Sequence, residues 1–194
     1  MRALLQLRQD HETLLDRRTR RFEQIVVPHL DTAFGLACRL MQNRDDAEDA
    51  VQDALIKALR HFDGCREETS KAWFLRILRN VCFDLLTARG ALRQDGFADH
   101  DPTDMDGHAY DSDVFGRMAI DPESALLAKS RQAWLEGAIG TLPIIYREAV
   151  TLRDLEGLHY AEIASITGVP VGTVMSRLSR GRDLLMKELA SGHG

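Results

Sequence analysis

Between Ala47 and Phe62 the chain places an apolar residue every third or fourth position: Ala47, Ala50, Val51, Ala54, Leu55, Ala58, Leu59 and Phe62. That 3.6-residue period fits a helix with one buried face and fits nothing else in the repertoire of regular structure. Asn43 precedes it as a candidate N-cap, with Asp45 and Asp46 suited to the positive end of the helix dipole. The same period governs Phe22, Ile25, Val26, Leu30, Ala33, Phe34, Ala37, Leu40 and Met41, where Pro28 predicts a kink or a helix start. It returns from about Ser70, a candidate N-cap, to about Ala88, with Phe74, Ile77, Leu78, Val81 and Leu85 as the buried face and Gly90 as the terminator. No segment alternates with period two and β-branched enrichment. The expectation is therefore an all-α protein.

Two helical domains follow from where the periodicity stops. Residues 91–122 lack it and carry Gly, Pro and Asp, which predicts a flexible acidic linker. Residues 22–90 form the first domain, and residues 123–190 the second, with Pro143 expected at the first position of one of its helices. Residues 1–21 are a charged N-terminal extension ending in Arg17, Arg18, Arg20 and Arg21. That N-terminus shows neither a continuous apolar core nor a cleavage site, and no apolar run approaches the roughly 18–20 residues that span a bilayer. A cytoplasmic protein without membrane insertion is expected.

The net charge of −5 conceals a segregation. From Asp95 to Glu123 there are nine acidic residues and one basic residue, Arg117, leaving 24 basic and 21 acidic residues elsewhere, a net +3. An acidic chain of this kind remains compatible with nucleic-acid binding.

The segment Tyr160–Leu185 carries the strongest local signal. Small Ala164, then Gly168 four residues later, then branched Val174 six further on, is the spacing a helix-turn-helix needs. The second helix, expected over Val171–Lys187, turns Val171, Val174, Leu178 and Leu185 inward. Thr173, Ser176, Arg177, Arg180 and Arg182 remain outward or flanking, and arginines with small hydroxyls suit DNA contact. A lone surface arginine is ordinarily only solvated. Three within six residues on the second helix of such a motif point to DNA.

The segments RDDAEDAVQDALIKAL, KAWFLRILRNVCFDLLTARG and LPIIYREAVTLRDLEGLHYAEIASITGVPVGTVMSRLSRGR, in this order, resemble bacterial RNA polymerase sigma factors of the extracytoplasmic-function group. The resemblance covers about residues 22–90 and 123–189. It implies a factor that binds core RNA polymerase and directs it to promoter DNA, with an anti-sigma factor as a further partner. It implies a polymerase-binding surface at Asp46, Asp49, Gln52, Asp53 and Ile56. It implies recognition of the −10 element at Trp73, Arg76, Arg79, Asn80, Asp84 and Arg89, with the loop Asp63–Lys71 taking a flipped-out base. Glu67 and Glu68 in that loop oppose phosphate, so its contacts must be selective. The −35 element falls to Thr173, Ser176, Arg177, Arg180 and Arg182. Met175 stands where many relatives carry a basic residue, a departure that bears on sequence preference. The linker would lie along the RNA exit path.

No nucleophile–base pair, phosphate loop or metal-ligand cluster is legible, so no enzyme activity, cofactor or metal is expected. His159, beside the motif, reads as surface or packing. Cys38 and Cys82 lie on apolar faces and read as packed free thiols; Cys65, in a polar segment, reads as exposed. The main alternative is a stand-alone helix-turn-helix regulator, which would dimerise on a palindrome and leave the pattern at 45–89 without a role. A purely protein-binding module would leave the arginine face unexplained.

Overall fold

A computed structural model describes residues 17–90 and 122–191, with side chains over 17–90 and 132–191. Among the described residues all regular structure is helical. Helix α1 covers residues 17–26 and gives way at Val27–His29 to a 3₁₀ turn. Pro28 sits inside that turn, where its missing N–H costs nothing, and α2 (Leu30–Met41) starts immediately after it. Proline thus marks a helix start. α2 ends at Gln42, which adopts the left-handed conformation (φ 54°). Asn43 then caps α3 (Arg44–Arg60), its side chain accepting from the Asp46 N–H at 3.1 Å.

Two 3₁₀ turns, Phe62–Gly64 and Glu67–Thr69, lead into α4 (Ser70–Ala88). The cap of α4 is Thr69 rather than Ser70. Ser70 is already helical and buried, and its hydroxyl meets His29 Nε2 at 3.1 Å instead of the helix backbone. Gly90, at φ +72°, supplies the left-handed residue that stops the chain after Ala88. Cys65, expected to be exposed, is buried: the chain after the Phe62 turn folds its thiol inward, where it donates to the Arg66 carbonyl at 3.6 Å. Cys82 is fully buried, and Cys38 is half-buried.

The second half comprises α5 (Pro122–Thr141), α6 (Ile144–Val150), α7 (Tyr160–Thr167) and α8 (Val171–Ser191). Pro143 is the cap of α6, one position before its expected place, because the helix needs Pro143 in an extended conformation (ψ 141°) to enter from Leu142. α6 runs on through a single π turn at Thr151–Leu155.

α4 buries more than its sequence pattern promises. Phe74, Leu78, Val81 and Cys82 are buried as expected, but so are Leu75 and Leu86, while Ile77 and Leu85 are only half-buried. The reason is that α4 is covered from two directions, by α2 and α3 and by α7 of the other half. One continuous core therefore joins both halves, from Leu36 and Phe74 through Ile144 and Leu152 to Ile163 and Leu178. A smaller cluster of Ala138, Ile139, Leu142, Val150 and Leu185 lies under α5, α6 and α8.

Candidate nucleic-acid interface

The helix-turn-helix is built as its spacing demands. α7 begins after His159, whose backbone N–H donates to the Glu162 carboxylate at 2.8 Å. Gly168 ends it in the left-handed region (φ +75°), donating to the Ala164 carbonyl at 2.9 Å. Val174 is buried and pins α8 against the core, and Leu178 and Leu185 continue that face. Val171, expected inside, is exposed at the first position of α8.

The five DNA-contact candidates on α8 differ in availability. Arg180 is exposed, as is Met175. Thr173 and Ser176 are half-buried, and the Ser176 hydroxyl donates to the Thr173 carbonyl at 3.0 Å. Arg177 is half-buried and acts electrostatically on Glu148 of α6. Arg182 is engaged in a two-pronged ion pair with Asp154 of the π turn, at 2.5 and 3.1 Å. That carboxylate holds the Arg182 guanidinium above its ordinary pKa, so its charge is committed inside the fold.

On α3, Asp49, Gln52, Asp53 and Ile56 share an exposed face, with Ile56 among the most exposed large apolar side chains of the described residues. Asp46 stands apart from them. Its carboxylate accepts a bidentate pair of hydrogen bonds from Arg89, one of them at 2.7 Å. The Arg89 bond holds the Asp46 carboxyl below the usual carboxylate range. A candidate of one surface thus positions a candidate of the other.

On α4, Arg76, Asn80 and Asp84 are exposed, and Asp84 lies 3.7 Å from Lys57 of α3. Trp73 is half-buried and packs on the core. Arg79 is turned away from solvent. Its Nε donates to Glu148 Oε1 at 2.6 Å, and its guanidinium lies 4.0 Å from the Phe83 ring centroid. Glu148 is fully buried; burial pushes its carboxyl up, while Arg79 and then Arg177 pull it back.

Several contributors were not legible in advance. Arg18 of α1 donates to Asp63 at 3.1 Å and to the Leu59 carbonyl at 2.8 Å, closing the end of α3 against the candidate capture loop. Phe22 meets Phe62 edge-on at 5.2 Å, and the Arg21 guanidinium lies 5.8 Å from the same ring. The extension's last residues therefore brace the loop. The basic run at 17–21 was the available signal, but its partners lie more than forty residues away. Among the described residues no cluster of His, Cys, Asp or Glu could hold a metal ion. Burial, with the neighbouring Glu148 charge, pushes the Cys82 thiol up to about 12, so it is chemically quiet.

Comparison with known proteins matches residues 25–91 to Sigma-70 region 2 and residues 132–185 to Sigma-70, region 4. The RNA polymerase sigma-H factor of Pseudomonas aeruginosa is 34% identical over 171 residues, covering 88% of this chain and 86% of that one. The ECF RNA polymerase sigma-E factor of Escherichia coli is 33% identical over 165 residues, covering 84% of each. The ECF RNA polymerase sigma factor SigE of Mycolicibacterium smegmatis is 34% identical over 169 residues; the chain spans 62% of that relative's length. Among solved structures, the sigma factor RpoE in complex with the anti-sigma factor NepR from Bartonella quintana aligns with a TM-score of 0.61 at 27% identity. That alignment covers 88% of this chain and 97% of the other. CnrH, in complex with the cytosolic domain of CnrY, shares the fold with a TM-score of 0.60 at 24% identity.

Proposed function

The chain belongs to the sigma-70 family, in its extracytoplasmic-function group, and from that membership we propose how its surfaces divide the work of promoter-specific initiation. It is a sigma factor: it binds core RNA polymerase and directs it to promoters. The observation that carries this reading is the presence, in one chain and in order, of a region 2 helical unit and a region 4 helix-turn-helix. A stand-alone regulator needs only the second.

The exposed face of α3, with Asp49, Gln52, Asp53 and Ile56, is the polymerase-docking surface. An acidic stripe around one apolar residue suits a basic helical partner. Asp46 belongs to the set as the residue that holds Arg89. The outer face of α4, with Arg76, Asn80 and Asp84, reads the −10 element together with exposed Arg89, joined by Arg79 and Trp73 when these become accessible. Arg180 and Arg177, with Thr173 and Ser176, read the −35 element, while Arg182 supports α8 from within. The units are residues 22–90 and 123–190, joined by the acidic 91–122 segment. The factor acts without chemistry of its own, the polymerase supplying catalysis. No helix among the described residues is long and apolar enough to cross a membrane, and the site of action is the cytoplasm. An anti-sigma factor restrains it until a stress or signal arrives, a reading supported by the similar RpoE of Bartonella quintana, which forms a complex with the anti-sigma factor NepR.

The test is in vitro transcription by core polymerase on a library of promoter fragments. Products from templates sharing two spaced elements support the reading. Absence of both products and polymerase binding, with tight binding of a dimer to a palindrome, would establish the stand-alone regulator instead.

A further inference from the structure

The two halves are held together by polar ties as well as by a shared core. At the end of α2 the Arg39 carbonyl, an orphan of the helix terminus, accepts from Arg147 Nη1 at 3.1 Å. At the end of α5 the Gly140 carbonyl accepts from Gln42 Nε2 at 2.5 Å. Each half thus completes a helix end of the other. A third tie is Arg79–Glu148, from α4 to α6, the most buried ion pair joining the halves among the described residues: the Glu148 side chain is 1% exposed and that of Arg79 16%. An arginine assigned to promoter DNA is therefore held by a buried carboxylate of the other half.

We propose that Glu148 is a built-in latch: in the free chain it serves as the counter-ion that DNA phosphate would otherwise provide, holding Arg79 inward and the two halves closed. A carboxylate hydrogen-bonded to an arginine takes the place a phosphate oxygen would take, and burial makes the pairing selective for the closed form. While the latch is shut, Arg79 is withheld from DNA. Opening exposes it together with the apolar side chains that the halves bury between them, so an open form needs a partner to cover them. The closure itself stands on geometry; only the statement of what it withholds rests on the initiation-factor reading.

The experiment is small-angle X-ray scattering of the full-length chain, with helix content followed by circular dichroism. Glu148→Lys sets a second positive charge against Arg79 and should give a helical protein with a larger radius of gyration than wild type. Arg79→Glu, which sets two carboxylates together from the other side, should expand the chain in the same way. The double variant Arg79→Glu/Glu148→Lys restores opposite charges and should return toward the wild-type radius. A helical Glu148→Lys variant of wild-type size overturns the proposal. Should that variant lose helix content, a wild-type radius for Arg79→Glu overturns it instead. Binding of wild type to core polymerase is measured alongside. Expansion of the variants without polymerase binding leaves the latch standing and removes the initiation-factor reading; binding without expansion does the reverse.

Discussion

Arginines that look equivalent along α8 have different roles once their partners are known. Arg180 is exposed, whereas Arg182 is locked to Asp154 at 2.5 Å. Arg180→Ala is expected to weaken initiation that depends on the upstream element by about 1–3 kcal/mol while leaving thermal stability unchanged. Arg182→Ala should do the opposite first, lowering stability by about 1–2 kcal/mol through loss of a partly buried charged pair. Parallel melting curves and run-off transcription separate the two; a destabilised Arg180→Ala protein would refute the assignment. Asp46 allows a test by pH. Its carboxyl is held below the ordinary value by Arg89, so the folded state binds its proton less readily than the unfolded chain. The stabilisation is therefore complete above the ordinary aspartate range and disappears as pH falls through the depressed folded value. Asp46→Asn should melt below wild type at about pH 6, and the gap should narrow as pH falls below the ordinary aspartate range. A gap unchanged by acid would place the effect elsewhere. The family resemblance assigned Asp46 and Arg89 to two different surfaces, but it could not show that they meet across 43 positions.

At the scale of elements, the apolar period, the Asn43 cap and the Gly168 turn were legible because each depends on residues within one or two helical turns. What escaped was set by crossings between helices. Gly181 is the sharpest case, a glycine in the interior of α8. A Cβ there would lie 2.9 Å from Val150 Cγ2 and 3.3 Å from the Tyr146 carbonyl oxygen, so α6 and α8 cross where only a bare backbone fits. Gly181→Ala gains up to about 1 kcal/mol in helix propensity. Overpacking a site bounded by a buried valine and backbone costs about 1–3 kcal/mol and should prevail. Gly137, on α5, has nothing within 4 Å of such a Cβ, so Gly137→Ala keeps the propensity gain and should raise the melting temperature. Opposite shifts for the two glycines check the crossing, and a rise in both would show that α8 stands off α6. Leu75 and Leu86 escaped for the same reason. They fall off the stripe that faces α2 and α3, and only a second covering layer makes them core.

For the whole molecule, the sequence pattern predicts two units on a tether, and the structure joins them through one core. Two independent helical units of this size would each be marginal and would melt at their own temperatures. A continuous core makes separation of the halves expose apolar surface on both, so neither can open without loss to the other. The chain's two tryptophans report this without labels, Trp73 from α4 and Trp134 from α5. In single-tryptophan variants, Trp134→Phe and Trp73→Phe, the thermal transitions should coincide, as a two-state unit requires. Leu75, fully buried on α4, provides the perturbation. Leu75→Ala should cost about 2–5 kcal/mol. If the core is shared, it lowers the transition seen by Trp134 as much as that seen by Trp73, although the substitution lies wholly in the first half. A shift confined to Trp73 would show the halves folding separately in solution, with their contact too weak to couple them.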